Sequence, residues 1–248
     1  MGRTDGTMGR QGPGAETVLA GDPPVAVQLR PDARARRFSL RVAHGDGRVT
    51  LTFPPRAGRG AALEFMRQKE AWLRATLDGM PAPQPVRPGV VLPVLGSALT
   101  LVAAPLHRAR REGAFLLVPP GHGCGPATAA FLRAEAKARL DRLCPEHAAA
   151  LGRTVTAIAL RDTRSRWGSC TAAGRLMFSW RLAMAPPEVL DYVAAHEVAH
   201  LVEMNHSRAF WSLVARLCPE ARTHRAWLRR HGAALQRWRF TTERGQGA

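Results

Sequence analysis

The chain has 248 residues, of which 46% are hydrophobic and 22% are charged. This composition is typical of a globular protein and excludes a disordered chain. No apolar run reaches the roughly 18 residues of a membrane-spanning helix, which excludes a membrane protein of that class. A chain of this length has ample material to bury a core, either as one ordinary domain or as two small ones.

The formal net charge of +17 raises the question of an anionic partner such as a nucleic acid or a nucleotide. Nearly all of this charge is arginine, because Lys69 and Lys137 are the only lysines. The many Ala, Gly and Pro residues suggest a bias toward GC-rich codons, which is enough to produce much of the charge. The arginines are densest in the segments 107–111, 161–166 and 222–231. We interpret these segments as solvated surfaces, with the binding of phosphate groups as the alternative.

Both ends of the chain are predicted to be tails, at residues 1–24 and 241–248. The first is rich in Gly and Pro and lacks the continuous apolar segment of a signal peptide. The four cysteines form no CxxC pair, which together with the missing export signal favours a reducing compartment. We therefore expect a cytoplasmic protein without membrane attachment, and nothing in the sequence indicates its oligomeric state.

Residues 25–123 are predicted to form a β-rich N-terminal region. Apolar and polar residues alternate on both sides of His44-Gly45-Asp46-Gly47, which is a hairpin signal. The predicted elements are, in chain order, this hairpin over 37–53, a helix over 59–77, and strands over 90–102 and 114–118. Pro and Gly are concentrated at 119–126, and we place a domain boundary there, between residues 123 and 124.

Residues 124–240 are predicted to form a second domain. Its predicted elements are a helix over 127–151 interrupted at Pro145, strands over 154–161 and 174–180, and a helix that begins at Pro186 and Pro187. The two strands are expected to pair across the intervening WGSC segment. The sequence RLCPE occurs at 142–146 and again at 216–220, and we interpret each copy as a helix end followed by a proline stop.

The segment His196-Glu197-Val198-Ala199-His200 fits the pattern HExxH. Residues at i and i+4 lie on the same helix face one turn apart, so both imidazoles can reach one metal ion. Zinc in catalytic sites usually takes three protein ligands and leaves a fourth position for water. Glu197 is placed to act as the general base toward that water. The surrounding helix is apolar on nearly every side, and a bound metal gives these polar groups a reason to be buried.

The third metal ligand is predicted to be His206, ten residues after His196. This is the spacing of the metzincin pattern HExxHxxGxxH, but Glu203 stands where that pattern has glycine. We therefore predict that the helix continues through Glu203 and ends near Asn205, and that Ser207 caps the next helix. Glu203 itself, at i+7 from His196, is the alternative third ligand.

Further residues are candidates for contacts with a substrate. Tyr192, one turn before the first histidine, can stabilise an oxyanion or pack beneath the site, and we favour packing. Arg164 and Arg166, together with Trp167, can bind a substrate carboxylate or phosphate, or order their own loop through ion pairs. Cys170 is a candidate redox thiol or metal ligand, although a lone cysteine is more often a small buried apolar residue.

The segments RDTRSRWGSC at 161–170 and GRLMFSWRLAMAPPEVLDYVAAHEVAHLVEMNHSRAFW at 174–211 resemble the YgjP-like zinc metallopeptidase family, which is related to the SprT-like and WLM proteases. The resemblance is strong over 127–235. It extends more weakly back to about residue 36, where RFSLRV, RVTLTFPP and KEAWL recur in similar order.

This resemblance implies an α+β fold with a gluzincin-like zincin core, a mixed β-sheet and an HExxH active-site helix, preceded by a smaller β-rich N-terminal region. It implies Zn²⁺ as cofactor, His196, His200 and His206 as ligands, and Glu197 as general base. The strand over 175–180 is expected to line a cleft for a peptide or protein substrate. The alternatives are a metal-dependent hydrolase of nucleotide phosphoanhydrides and a nucleic-acid-associated zinc protein related to SprT-like proteases.

Overall fold

The computed structural model describes residues 16–20, 24–43, 47–80 and 82–241. Over this part of the chain the protein is α+β, with six helices and several small sheets. The chain forms two compact units, Met1–Met80 and Pro81–Ala248. This division differs from the boundary between residues 123 and 124 that the sequence predicts, because that point lies inside the second unit. Most of the two predicted tails lies outside the described residues.

The first unit contains a four-stranded sheet with the order β1-β2-β4-β3. Its strands are β1 Glu16–Ala20, β2 Val25–Pro31, β3 Ser39–Val42 and β4 Val49–Phe53, and β1 lies within the predicted N-terminal tail. Strands β3 and β4 are antiparallel, with Leu40 opposite Leu51, which confirms the predicted hairpin. Its turn at 44–46 lies outside the described residues. Alternate residues of β4 are buried, so one face of the sheet forms the core of this unit.

Two helices complete the first unit, α1 Gly58–Gln68 and α2 Glu70–Asp78. The sequence predicts a single helix here, and that prediction is wrong at one residue. Lys69 has φ −100° and ψ 5°, so its backbone leaves the helical conformation and a new helix starts at Glu70. Met66 and Leu73, one from each helix, are buried in the same apolar cluster as β2 and β4.

The second unit begins with strand β5 Gln84–Pro85 and a sheet of order β6-β7-β9-β8. The strands of this sheet are β6 Val91–Val94, β7 Ser97–Ala103, β8 Arg110–Glu112 and β9 Phe115–Val118. The strand predicted over 90–102 is therefore a hairpin. It reverses at Leu95 and Gly96, where φ is 45° and 82°, and two consecutive positive φ angles are typical of a type I′ turn. The prediction of a strand over 114–118 is confirmed by β9.

Helix α3 spans Cys124–Ala150 and contains Pro145 in its interior. The predicted interruption at Pro145, and with it the helix end at the first RLCPE copy, is wrong. Leu143, Cys144 and Ala148 are buried on either side of the proline, and this packing outweighs the one backbone hydrogen bond that proline removes. The second RLCPE copy does end a helix, because α5 Arg208–Leu217 stops just before Cys218.

The next sheet has three strands, β10 Ala157–Arg161, β11 Gly168–Cys170 and β12 Arg175–Ser179, in the order β10-β12-β11. Strands β10 and β12 are parallel, with Leu160 opposite Phe178, which confirms their predicted pairing. The last three residues of the WGSC segment form β11, which is antiparallel to β12 and lies at the edge of the sheet.

Helix α4 spans Pro187–Ala199 and starts at the predicted proline. After α5 follow α6 Ala221–Gln236 and β13 Trp238–Arg239, which pairs with β5. The core of this unit includes Trp180, Phe178 and Phe210, together with eight buried apolar residues of α4. A helix that is apolar on nearly all sides is buried, and α4 therefore holds its few polar side chains at fixed positions in the unit. Among the described helices, none is long and apolar enough to cross a membrane.

Candidate metal centre

Helix α4 brings His196 and His200 to one face, with their ring centroids 5.2 Å apart. The helix ends at Ala199 and His200 caps it, so the predicted continuation through Glu203 is wrong. The reason is a turn closed by hydrogen bonds. The Glu203 backbone N–H donates to the carbonyl of Ala199 at 3.1 Å, and Nδ1 of His200 donates to the carbonyl of Glu203 at 3.0 Å.

The chain then returns to the same face, as the sequence predicts. The Ser207 N–H donates to Oδ1 of Asn205 at 2.9 Å, and Oγ of Ser207 accepts from the N–H of Phe210 at 3.2 Å. Ser207 is therefore the N-cap of α5. His206, immediately before this cap, is positioned with its Nε2 atom 3.2 Å from Nε2 of His196.

The three histidines form one group whose candidate ligand atoms all lie within 4.8 Å of one another. Among the described residues, Glu203 does not belong to this group. Its backbone carbonyl, rather than its carboxylate, contacts the site by orienting His200. A hydrogen bond at Nδ1 leaves Nε2 of His200 free as a ligand, which is the usual arrangement around metal-bound imidazoles.

Aromatic side chains of α5 hold the imidazoles in place. Phe210 is fully buried and stacks on His200 at 4.4 Å, with His196 and His206 at 4.9 and 4.8 Å. The Trp211 ring lies 5.7 Å from His196 and 5.9 Å from His206. Each ring is thus packed against another ring, and this fixes its orientation before any ligand binds.

The surroundings of His196 and His200 favour the neutral form of imidazole that binds metals. Burial, followed by the nearby His200 and His206, lowers the pKa of His196 to about 4. Burial also lowers the pKa of His200. Nδ1 of His196 is buried and has no hydrogen-bond partner among the described residues. Two nitrogens bound to one tetrahedral zinc lie about 3.3 Å apart, close to the 3.2 Å between Nε2 of His196 and Nε2 of His206. The residues therefore fit a metal ion.

Glu197 lies beside this cluster and is 6% exposed. Burial raises its pKa to about 7, and the positive charge of Arg166 partly opposes this shift. Among the described residues no hydrogen bond contributes to this pKa, so the carboxylate oxygens are available to a water or a substrate. A buried carboxylate with a pKa near neutrality can both accept and release a proton.

Gly168 of β11 determines how closely the sheet approaches Glu197, and sequence reasoning missed its role. A Cβ at position 168 would lie 2.6 Å from Cγ and from Oε1 of Glu197. Only glycine leaves room for the carboxylate in this packing. The glycine of the WGSC segment is the sequence signal for this close packing. The sequence alone does not show that β11 lies against α4, so it does not predict the role of Gly168.

The other predicted contact residues are placed around this centre. Tyr192 is 5% exposed, lies edge-on to His196 at 6.0 Å and has a pKa raised by burial. Arg166 is exposed near Glu197, and Arg164 is exposed in the same loop. Trp167 packs toward α6, where a Cβ on Gly232 would lie 3.0 Å from its ring.

Cys170 has a pKa raised to about 11, first by burial and then by Glu197, so its thiol stays protonated at neutral pH. It does not belong to the metal-binding group among the described residues. The interpretation of Cys170 as a small apolar residue is the one that these observations favour.

An ion pair between a buried arginine and a partly exposed aspartate orders the loop that precedes β11. Arg181, 4% exposed, donates from Nε to Oδ1 of Asp162 at 2.6 Å, and from Nη1 to the carbonyls of Leu235 and Trp238 at 3.1 Å each. Its guanidinium also lies 5.0 Å from the Trp180 ring. Asp162 is therefore held by Arg181, and the sequence pattern did not indicate this pairing.

A helix that presents HExxH, a third histidine from the following turn and an adjacent buried glutamate define a metallopeptidase-type metal centre. The family model described as YgjP-like, metallopeptidase domain, matches residues 36–231. The chain belongs to this YgjP-like family.

Solved structures and curated proteins give two further comparisons. The chain is similar to the crystal structure of the metallopeptidase zymogen abylysin from Pyrococcus abyssi, with 20% identity and a TM-score of 0.34. That match covers 37% of this chain and 93% of the abylysin chain. A comparison with curated proteins gave no match.

Proposed function

We propose that the protein is a zinc-dependent metallopeptidase with a gluzincin-like core, in which His196, His200 and His206 hold zinc and Glu197 is the general base. One observation carries the proposal: candidate ligand nitrogens within 4.8 Å of one another stand beside a buried carboxylate that is free of hydrogen bonds to the described residues. Membership of the metallopeptidase family supports a protein substrate.

The donor set supports zinc as the metal. All three candidate ligands are imidazoles, which suit zinc, whereas magnesium prefers oxygen ligands. This chemistry favours peptide hydrolysis over the magnesium-dependent hydrolysis of a phosphoanhydride. When bound, zinc lowers the pKa of a coordinated water to about 7 and acts as a Lewis acid toward a carbonyl oxygen.

Glu197 supplies the proton transfers. Its carboxylate takes a proton from the attacking water and then delivers it to the amine that leaves when the peptide bond breaks. Both steps require a group that changes protonation near neutral pH, and burial moves the pKa of Glu197 toward that range. Tyr192 is too deeply packed to move freely, and in this proposal it supports His196 from below rather than contacting substrate.

Strand β11 is the proposed binding edge for an extended peptide. The sequence leads us to expect strand 175–180 in this role, but β12 is the central strand, paired on both sides. Strand β11 is paired with β12 only and lies against Glu197 at Gly168. An edge strand offers unpaired backbone groups with which an extended peptide can form hydrogen bonds.

The proposal is tested by metal content and by cleavage of a peptide library. We expect the wild-type protein to bind about one zinc per chain and to cleave peptides. Glu197→Gln should keep the metal and lose about a hundredfold to ten-thousandfold in kcat/KM, since general-base catalysis contributes about 10² to 10⁴. Equal activity of the two proteins, or wild type without metal affinity, would contradict the mechanism.

The ligand assignment has its own pair of variants. His206→Ala should lower zinc affinity by at least about tenfold. Loss of a residue that only hydrogen-bonds to a metal ligand already lowers metal affinity by about 10 to 100-fold, and loss of the ligand itself should lower it at least as much. Glu203→Gln should leave the affinity unchanged, because only the backbone carbonyl of this residue contacts the site. The opposite result would identify Glu203 as the ligand.

A further inference from the structure

A groove of about 410 Å³ opens directly beside the candidate metal centre. Three segments line it: the chain between α3 and β10, the turn between β11 and β12, and the chain that follows α4. His200 is part of its wall, so the groove begins at one of the candidate metal ligands. A molecule in the groove therefore contacts the candidate centre through His200.

The walls of the groove are held by hydrogen bonds. Thr156 donates from its backbone N–H to the carbonyl of Gly174 at 3.1 Å and from Oγ1 to the carbonyl of Ala173 at 2.9 Å, which joins two of the three segments. The third segment is fixed by the bond from Nδ1 of His200 to the carbonyl of Glu203. The groove is therefore formed before substrate arrives, and binding there needs little reorganisation.

Positive charge and apolar surface meet in this groove. Arg153 is exposed, and its guanidinium has no hydrogen bond or ion pair with any residue that the structure describes. No aspartate or glutamate lines the groove. On the side that follows α4, Val202 and Met204 are 42% and 55% exposed. A ligand that complements this lining carries a negative group at the end of an aliphatic stem.

We propose that this groove is a substrate subsite that binds a carboxylate through Arg153, with the aliphatic part of the same residue on Val202 and Met204. The inference rests on the proposed peptidase function. Thr171, in the groove, follows Gly168 by three residues of strand and turn, or about 10 Å. A peptide laid along β11 therefore places a residue about three positions from the scissile bond in the groove. The carboxylate comes from an acidic side chain or from the end of the chain.

The test uses matched peptides cleaved by the zinc-loaded full-length protein. One series has an amidated end and carries Glu or Gln at each position within three residues of the scissile bond. A second series has Gln throughout and ends in a free acid or an amide. In one series we expect kcat/KM to favour the carboxylate by about fivefold, the scale of an exposed charge pair, and the series that responds identifies its source.

Variants connect this preference to the groove. In Arg153→Gln the ratio of kcat/KM for the carboxylate over the neutral peptide should fall to about one. In Arg153→Glu the charge preference should reverse, so that a peptide with Lys at the same position is cleaved faster than the carboxylate peptide. Arg87→Gln is the control, because Arg87 is also exposed and lies outside the groove. A merely structural defect lowers both rates equally and leaves the ratio unchanged.

The outcomes separate this inference from the proposed function. A ratio of one in wild type, or a ratio that survives Arg153→Gln, overturns the subsite. If the wild-type protein cleaves no peptide, the proposed function is wrong. The subsite is then decided by the affinity of the same peptides for Glu197→Gln, measured by fluorescence anisotropy, with the same ratio expected.

Discussion

Gly168 lies against the side chain of Glu197, with no room for a side chain of its own. We predict that Gly168→Ala displaces the carboxylate, because the added methyl would lie 2.6 Å from Cγ of Glu197. A shift of about 1 Å in a catalytic group costs about a hundredfold, so kcat/KM should fall by about tenfold to a hundredfold. Zinc content should be unchanged, since the three atoms nearest to that methyl all belong to Glu197.

The matched control for this glycine is Gly60→Ala. Gly60 lies in α1, and a Cβ at that position meets nothing within 4 Å. Its variant should retain full activity and gain slightly in stability, because alanine is the better helix former. Full activity of Gly168→Ala would show that the carboxylate position observed here is not the one used in catalysis.

Cys144 makes stability depend on alkaline pH. Burial, followed by Asp141, raises the pKa of its thiol from 9.0 to about 12. Above pH 9 the unfolded chain therefore releases a proton that the folded chain keeps. The stabilising contribution is complete below pH 9 and is lost as pH rises toward 12, by at most about 1.4 kcal/mol per pH unit.

The measurement compares wild type with Cys144→Ala in urea at pH 8 and pH 10.5. We expect the variant to be less stable at pH 8, because a buried side chain is shortened. The difference in unfolding free energy should then shrink by about 1 to 2 kcal/mol at the higher pH. A difference that is the same at both pH values would contradict the burial of a neutral thiol.

At the scale of elements, the turn between α4 and α5 sets the position of the third histidine. Ser207 caps α5 through its hydrogen bond from the N–H of Phe210. Ser207→Ala should cost about 1 kcal/mol in unfolding free energy and also weaken zinc binding, because His206 precedes the cap. Ser212→Ala on the same helix removes only a bond to the carbonyl of Arg208 and should change neither quantity appreciably. Equal losses of zinc affinity in the two variants would show that the Ser207 cap does not position His206.

The same turn shows what the sequence can and cannot predict. Asn205 and Ser207 have local propensities strong enough to predict the cap, and the HExxH spacing predicts the shared helix face. The helix end at Ala199 could not be predicted, because it depends on a side chain, His200, that bonds to the carbonyl of Glu203. Propensity favours a longer helix here, and the tertiary contact overrides it.

The sequence predicts some strands and helix ends and not others, because some depend on local pattern and others on tertiary contacts. Alternation identified β10 and β12, since their apolar faces are regular. The short edge strand β11 has only three residues, too few for a periodic signal, and its place is known only through its partners. Pro145 inside α3 misled the prediction, because a proline signals a helix end locally and its tolerance depends on distant packing.

At the scale of the second unit, Arg181 joins the sheet to the end of the chain. Arg181→Met should cost about 2 to 4 kcal/mol, because it leaves the carbonyls of Leu235 and Trp238 without their donor and also removes the ion pair with the partly exposed Asp162. The control is Arg142→Met, which breaks an exposed pair with Glu146 and should cost less than about 1 kcal/mol. Denaturant unfolding measures both, and equal losses would show that burial of Arg181 adds nothing.

The composition of β11 has a consequence for selectivity in the proposed peptidase. Its three residues, Gly168, Ser169 and Cys170, have small side chains, so a peptide along this strand meets mainly backbone. Main-chain hydrogen bonds form in the same way whatever the side chains of the residues they join, so they do not select a peptide sequence. Discrimination between substrates is therefore left to the two ends of the strand, where Trp167 precedes it and the Arg153 groove follows it. In the proposed peptidase, the middle of β11 therefore binds any extended peptide, and the residues at the two ends of the strand determine which peptides are cleaved.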